Sequence, residues 1–400
     1  MSNLNSILAS YDLVITSPAI ETGVSIDLKS HFTSVWGCLH GVTPDNSSRQ
    51  SLARVRESID RHIWVARRGL GQIGNGAINF HSLLNCQLNK FKANVSMLQN
   101  AGMSIEHDRV HISETALNTW AKMACRVNAG MIKYRDSVIA GLKAEGHHIL
   151  KPGQPDNEPD LKQLMKELTQ NQLTNYSNEC DQIENAEISH LTPTDFEKLT
   201  QKSSKTPDER RQERKYGLQK RYGVDVTSDL IMLDDAGWYP QLRLHYFLTL
   251  GNPFLNERDQ RAAGKSISNG QLFLPDFNHS QLGASVATLE FLEMSSLLAL
   301  SDTKRQFRGN DEDLQRLASL AHANRTAIQQ ILGTTICVKD NPIVILRRIL
   351  QKIGYRLELL GRDGTGVRQR FYRIVPIGNR DEIFQGWLTK DSAASTNGNK

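Results

Sequence analysis

Asp12-Leu-Val-Ile-Thr-Ser-Pro-Ala-Ile-Glu-Thr-Gly-Val-Ser-Ile-Asp27 and, shortly after it, Arg49-Gln-Ser-Leu-Ala-Arg-Val-Arg56 decide how the chain reads. Residues 12–16 are a short apolar run ending in Thr-Ser-Pro, the pattern of a buried parallel strand running into a loop. Phe32–Leu39 reads as a second strand, Ser47–Ile59 as a helix capped by Ser, and Arg61–Ala66 as a third strand. Strand, loop, strand, helix, strand is an α/β rhythm. Gly23 gives the first loop a position where backbone amides can approach a phosphate closely. On a helix, Gln50 and Arg54 share a face, and Arg56 lies about 200° round from Arg54.

Outward from this stretch the chain changes character several times. Residues 76–150 read as mostly helical, with Ser113 capping Leu117, Trp120, Ala124 and Val127 at helical spacing. Residues 151–215 are polar and proline-containing, the composition of a linker with loose helices. Residues 216–305 recover a core around Trp238, Tyr239, Leu242, Leu244 and Phe247. In 306–390, Asp311–Ala321 and Asn324–Leu332 read as helices. Asn341-Pro342 opens a third, which Gly354 stops. Tyr355–Leu359 alternates as a strand, Gly361–Gly366 is a turn, and Arg368–Val375 returns. Three helices and a hairpin is the order of a winged helix. Asp391–Lys400 is small and polar, the mark of a disordered tail. The expected fold is therefore an α/β partial lobe over 1–75, a mostly helical middle, and a winged-helix-like α+β module.

The two opening stretches resemble the last two motifs of superfamily 2 helicases. Residues 11–68 are similar to the C-terminal helicase motifs of cyanobacterial plasmid replication initiators and, more distantly, to herpesvirus origin-binding helicases. The resemblance implies a partial second RecA-like lobe. It implies that Thr16, Ser17 and Gly23 contact the nucleic-acid backbone, and that Glu21, Ser25 and Asp27 couple the loop to ATP. Gln50, Arg54 and Arg56 become ATP-sensing residues, because a guanidinium neutralises charge on a γ-phosphoryl group. Ala53 stands where the usual motif has Gly, and only Val55 separates the arginines, so the finger is either Arg54 or Arg56. No stretch of the form GxxxxGK[ST] is present: Ala263-Gly-Lys-Ser266 has Asp259 at the first glycine's place. The chain is thus expected to be the receiving half of a motor. ATP and Mg²⁺ would act only with an N-terminal lobe, and alone it would take no cofactor. Expected partners are DNA and the N-terminal helicase/primase portion or another replication subunit.

Charge points the same way. The chain carries +5 overall, and its pI is about 8.9. Between Lys339 and Arg380 ten basic residues face three acids, a net +7 on one element. Arg347, Arg348, Arg368, Arg370 and Arg373, with Phe371 and Tyr372 among them, are candidate DNA contacts. A non-enzymatic DNA-binding protein is the alternative reading, and a bland interaction protein the third. Five scattered cysteines, with no CxxC pair, suit a reducing cytoplasm and argue against a disulfide framework or a zinc module. No metal site is expected. Glu106-His-Asp-Arg-Val-His111 alternates like a strand, and His147-His148 reads as a solvated helix end. Ile231-Met-Leu-Asp-Asp235 reads as a helix or surface turn. No apolar run is long enough to cross a membrane.

Overall fold

A computed structural model describes residues 4–17, 24–100, 113–151, 158–268, 282–301, 305–363 and 369–398. The fold is mixed α/β, mostly helical with two small sheets. It divides into two compact units, one of Met1–Phe91 with Glu106–Gln154 and one of Lys92–Ile105 with Pro155–Lys400.

The first unit opens with α1 (Leu4–Leu8), then β1 (Ser34–Leu39), α2 (Asp45–Leu52) and β2 (Asp60–Val65). The strands pair in parallel from Ser34↔Asp60 to Leu39↔Val65, with α2 as their crossover. α3 (Phe80–Asn100), α4 (Glu114–Ile132) and α5 (Tyr134–Ala144) follow. Ser113 caps α4 by accepting from the Ala116 amide, as its sequence indicates. One face of the strand pair packs on α2 and α5, where Val65, Met131, Tyr134, Val138 and Leu142 form a small core. Gly37 admits Leu52 there, since a Cβ would lie 2.8 Å from its Cδ2. The opposite face is open, with Trp36 74% and Trp64 51% exposed. Trp36 stacks on His62 at 4.2 Å and donates its indole N–H to Ser34 Oγ.

Residues 12–16 correct the expectation of a strand. They form no ladder, and Leu13 and Ile15 are exposed. An extended segment is stable only where a neighbour takes its amides and carbonyls, and β1 and β2 pair with each other instead. The helix read over Ser47–Ile59 is also shorter. It ends at Leu52, and Ala53 is its C-cap.

The second unit begins with α6 (Glu158–Glu184), α7 (Pro193–Gln201) and α8 (Pro207–Tyr222). Composition predicts a linker with loose helices over 151–215; helices are present, and two capping boxes, Thr192 with Asp195 and Thr206 with Glu209, start α7 and α8 behind N1 prolines. Ionic and polar ties then hold α8. Lys205 pairs with Glu213, Lys215 donates to the carbonyls of Glu184 and Ala186, and Arg214 bridges Asp234 and Asp235. The chain continues through α9 (Ser228–Asp235), α10 (Trp238–Leu248), a 3-10 turn at Asn252–Phe254, α11 (Leu255–Ser268), α12 (Gly283–Phe291) and α13 (Met294–Ser301). β3 (Phe307–Arg308), α14 (Glu312–Ala323), α15 (Arg325–Leu332), α16 (Pro342–Lys352), β4 (Tyr355–Asp363) and β5 (Gln369–Pro376) come next. Asn341 caps α16 by accepting from the Val344 amide, and Pro342 sits at its start. The sheet is antiparallel in the order β3-β5-β4.

A single core runs from Cys180 and Ile183 on α6 through Phe247 and Phe307 to Ile383, Phe384 and Trp387. Residues either side of 305, which composition separates, therefore share one interior. The polar end is not a disordered tail throughout: α17 (Asp381–Gly398) continues past residue 391, and Tyr246 donates to Asp391 at 2.9 Å.

Candidate functional site

The two motif stretches meet in the first unit. Ile26 and Val55 form an isolated parallel bridge. The Ile26 amide donates to Arg54 O at 2.9 Å, and the Arg56 amide to Ile26 O at 3.1 Å. Val24–Asp27 is thereby zipped against Arg54–Arg56. Arg56 is exposed, and its Nε donates to Ser25 Oγ at 3.2 Å. Ser25 Oγ donates in turn to Asp27 Oδ1 at 2.7 Å. Arg54 is half-buried and spends Nη1 on Val24 O at 2.8 Å, while its Nε is buried without a partner among the described residues.

Gln50 does not join this cluster through a shared helical face with Arg54. It is exposed on α2, which stops two residues before Arg54. Thr16 and Ser17 are exposed, and Glu21 and Gly23 lie outside the described residues. A residue that the motif reading overlooks is Arg61. Its guanidinium donates to the carbonyls of Leu52, Val55, Glu57 and Ile59 at 2.8–3.2 Å. One side chain thus clamps the whole turn that carries Arg54 and Arg56, and five donors in a rigid fork suit it to the task. Only its place just after the motif could have marked it.

In the second unit the structure sorts the arginines. Arg348 donates to Thr335 O and pairs with Asp340. The Cys337 amide and Arg348 hold the Asp340 carboxyl below its usual range. Arg373 pairs with Glu358 at 2.6 Å, which lowers the Glu358 carboxyl likewise. Arg347 and Arg370 are exposed and make no ion pair among the described residues, and the same holds for Arg362. Arg356 is exposed beside Glu358. Arg368 lies outside the described residues.

Arg380, part of the +7 count, is no surface charge at all. It is 4% exposed and donates to the carbonyls of Ile353, Gly354 and Ile377, and to His245 Nδ1 at 2.9 Å. The ring of Tyr355 lies 4.2 Å from its guanidinium carbon. Burial pushes the Arg380 pKa down, and it depresses His245 to about 3, with the Arg380 charge adding to the effect. His245 is consequently neutral, and its Nδ1 accepts a hydrogen bond from the Arg380 guanidinium.

The look-alike motifs resolve into structure. Ala263–Ser266 is an interior part of α11, with no phosphate loop's strand and turn. Ile231–Asp235 lies in α9, where Asp234 accepts from Arg214, Arg221 and Tyr222. Glu106–His111 falls outside the described residues, and His147 and His148 are exposed beyond α5. Among the described residues no group of His, Cys, Asp and Glu could hold a metal, and no helix is long and apolar enough to cross a membrane.

The chain is 33% identical over 402 residues to an uncharacterized protein of Picosynechococcus sp., a match that takes in 98% of this chain and 39% of the relative. It thus spans about two fifths of that relative's length. No family model matches, and no solved structure matches.

Proposed function

We propose that this chain is the nucleic-acid-binding portion of a plasmid replication protein with a superfamily 2 helicase core. In this reading the first unit is part of a RecA-like lobe. The observation that carries it is the Ile26–Val55 bridge, because it joins two stretches picked out independently by their residues. Within this reading the arginines divide their labour. Arg54 ties the turn to Val24. Arg56, exposed and with no hydrogen bond from either Nη nitrogen among the described residues, is the one able to meet a γ-phosphoryl oxygen. Ser25 and Asp27 orient Arg56, and Arg61 holds the turn. ATP with Mg²⁺ would supply the energy of strand movement only with a second polypeptide segment that cradles its phosphates.

A second reading, DNA binding without nucleotide, is favoured by a separate observation. Arg347, Arg362 and Arg370 stand exposed and, among the described residues, without ion pairs on a module of three helices and a β3-β5-β4 sheet. In a winged helix of this strand order α16 and the hairpin would approach DNA. The two readings are compatible, and one pair of measurements tests what they share. The isolated chain should bind DNA with an affinity that falls steeply with salt, and should show no Mg²⁺-dependent ATP turnover. Substantial turnover by the chain alone would overturn the division of labour. No salt-dependent binding would overturn both readings.

A further inference from the structure

Alternation along β1 and β2 gives the two faces of this strand pair different chemistry. Leu39, Ile63 and Val65 turn inward to the small core of the first unit. The outward positions carry Trp36 and Cys38 on β1, His40 just past it, and His62 and Trp64 on β2, all exposed. The register sets Trp36 beside His62, with Trp64 one outward step further, about 7 Å along the strands. The Trp36 and His62 rings stack at 4.2 Å and 21°, and His40 leans on Trp64 at 4.8 Å. Four rings thus stand in two braced pairs. At 74% and 51% exposed, both indoles keep ring surface open to solvent. Arg67 and Arg68 follow β2 directly, exposed and with no ion pair among the described residues. Asp60, the acid among the outward positions, lies at the far end opposite Ser34.

Resting on the nucleic-acid-binding reading above, we infer that this face is a stacking platform for single-stranded DNA, with one base on Trp36, the next on Trp64, and Arg67 and Arg68 on the phosphates. Base stacking on aromatic side chains is independent of sequence, because every base has a π face, and a basic margin tracks the backbone. A duplex offers these rings little, since its base faces are already stacked. Its steps are also about 3.4 Å, half the spacing of the two indoles, which a stretched single strand can match. The other way to hide two tryptophans is a covering layer of protein. Parallel strands built for such a layer read as near-continuous Val, Ile and Leu on both faces. Here the outward positions hold two imidazoles and a carboxylate, which a dry layer would strip of water without giving them partners. Imidazole rings suit a wet stacking surface, because they brace an indole and keep ring nitrogens for bases or phosphates.

Fluorescence anisotropy of the full chain tests this with three labelled probes: oligo-dT of about 12 nucleotides, an abasic deoxyribose-phosphate strand of the same length, and a duplex. Oligo-dT should bind at least about tenfold tighter than the abasic strand, which has the same phosphates and no bases. It should also quench tryptophan fluorescence. Trp36→Ala with Trp64→Ala should abolish that preference and the quench, and leave the salt slope unchanged. Trp36→Phe with Trp64→Phe should retain most of the preference. Arg67→Ala with Arg68→Ala should keep the preference and reduce the slope by about 1.4. Unchanged melting of each variant confirms that the fold survives. The abasic comparison uses the wild-type chain and decides the matter even if a variant unfolds. If the wild-type chain binds none of the probes at low salt, the nucleic-acid-binding reading itself fails. If it binds the abasic strand as tightly as oligo-dT, or the Ala pair binds oligo-dT as tightly as wild type, the platform alone fails. Duplex binding that the Ala pair weakens as much as oligo-dT binding overturns the single-strand assignment, and tighter tryptophan-dependent binding of oligo-U overturns the choice of DNA.

Discussion

Asn128 in the first unit and Phe307 in the second are both fully buried, and they hold their surroundings by opposite means. Asn128 accepts from the Ile73 amide and donates to the carbonyls of Ile73 and Ala77, so it replaces a missing neighbour for a loop. Phe307 is a plain apolar plug in the core that runs from Cys180 to Trp387. The same contrast recurs. In the first unit Arg61 clamps a turn, Arg135 donates to Val65 O, and Tyr134 meets Ser48 at 2.6 Å. Gly41, at φ +69°, lets the 39–42 and 69–71 segments touch, since a Cβ would sit 2.4 Å from Gly69 Cα. Its apolar clusters are small and its strand pair is covered on one side only. A parallel pair normally has both faces covered, so directional bonds carry more of the specification here. The second unit has such clamps too, Arg380 among them, but sets them in a far larger apolar core.

The comparison breaks most easily at its heavier end. Phe307→Ala should cost about 3–5 kcal/mol of the second unit's stability, read by chemical denaturation, and should leave hydrogen exchange of β1 and β2 unchanged. Equal loss of protection in both units would mean that they unfold as one. The pH dependence is next. His245 is depressed to about 3 against 6.5 when unfolded, so the unfolded chain binds the extra proton in between. Stability from this group is complete above pH 6.5 and is lost as pH falls, by about 1.4 kcal/mol per unit down to the folded pKa. His245→Asn should remove that slope from the second unit's transition. A wild-type stability flat between pH 6.5 and 4 would contradict the buried neutral imidazole.

Asn128→Ala sharpens the other side. Stranding buried backbone groups should cost about 1–3 kcal/mol, confined to the first unit and seen first as faster exchange at the Ile73 amide. An unchanged exchange rate there would deny the polar-clamp account. The smallest effect belongs to Asn341→Ala, which removes a cap and should cost about 1 kcal/mol in the second unit's transition, with fraying limited to the first turn of α16.

Legibility followed the range of the interactions. The caps of α4 and α16, the β4–β5 hairpin and the β1-α2-β2 crossover could be read because periodicity, Asn-Pro and Gly act within a few residues. The capping boxes at Thr192 and Thr206 were equally local, but the polar composition around them outweighed them in a reading by composition. The strand at 12–16 failed for a different reason, since its apolar run has no ladder partner among the described residues. At the candidate site the two motif stretches were legible, and the assignment of each arginine was not. Arg54 and Arg56 look alike in sequence, and only a carbonyl at Val24 and a hydroxyl at Ser25 distinguish them.

The sequence by itself determined the mixed α/β class, the order of the C-terminal elements, the absence of a phosphate loop of the GxxxxGK[ST] form and the concentration of positive charge near the C-terminal end. Those are properties of composition and of spacing along one strand or helix. Tertiary structure alone decided which charges face solvent. Arg380 lies inside against Ile353, Gly354 and His245, Arg348 and Arg373 are neutralised by Asp340 and Glu358, and Arg362 and Arg370 stand exposed opposite each other with no ion pair among the described residues. A guanidinium has the same charge at every one of these positions. What it can bind depends on the carbonyls and carboxylates that the fold brings to it from far along the chain.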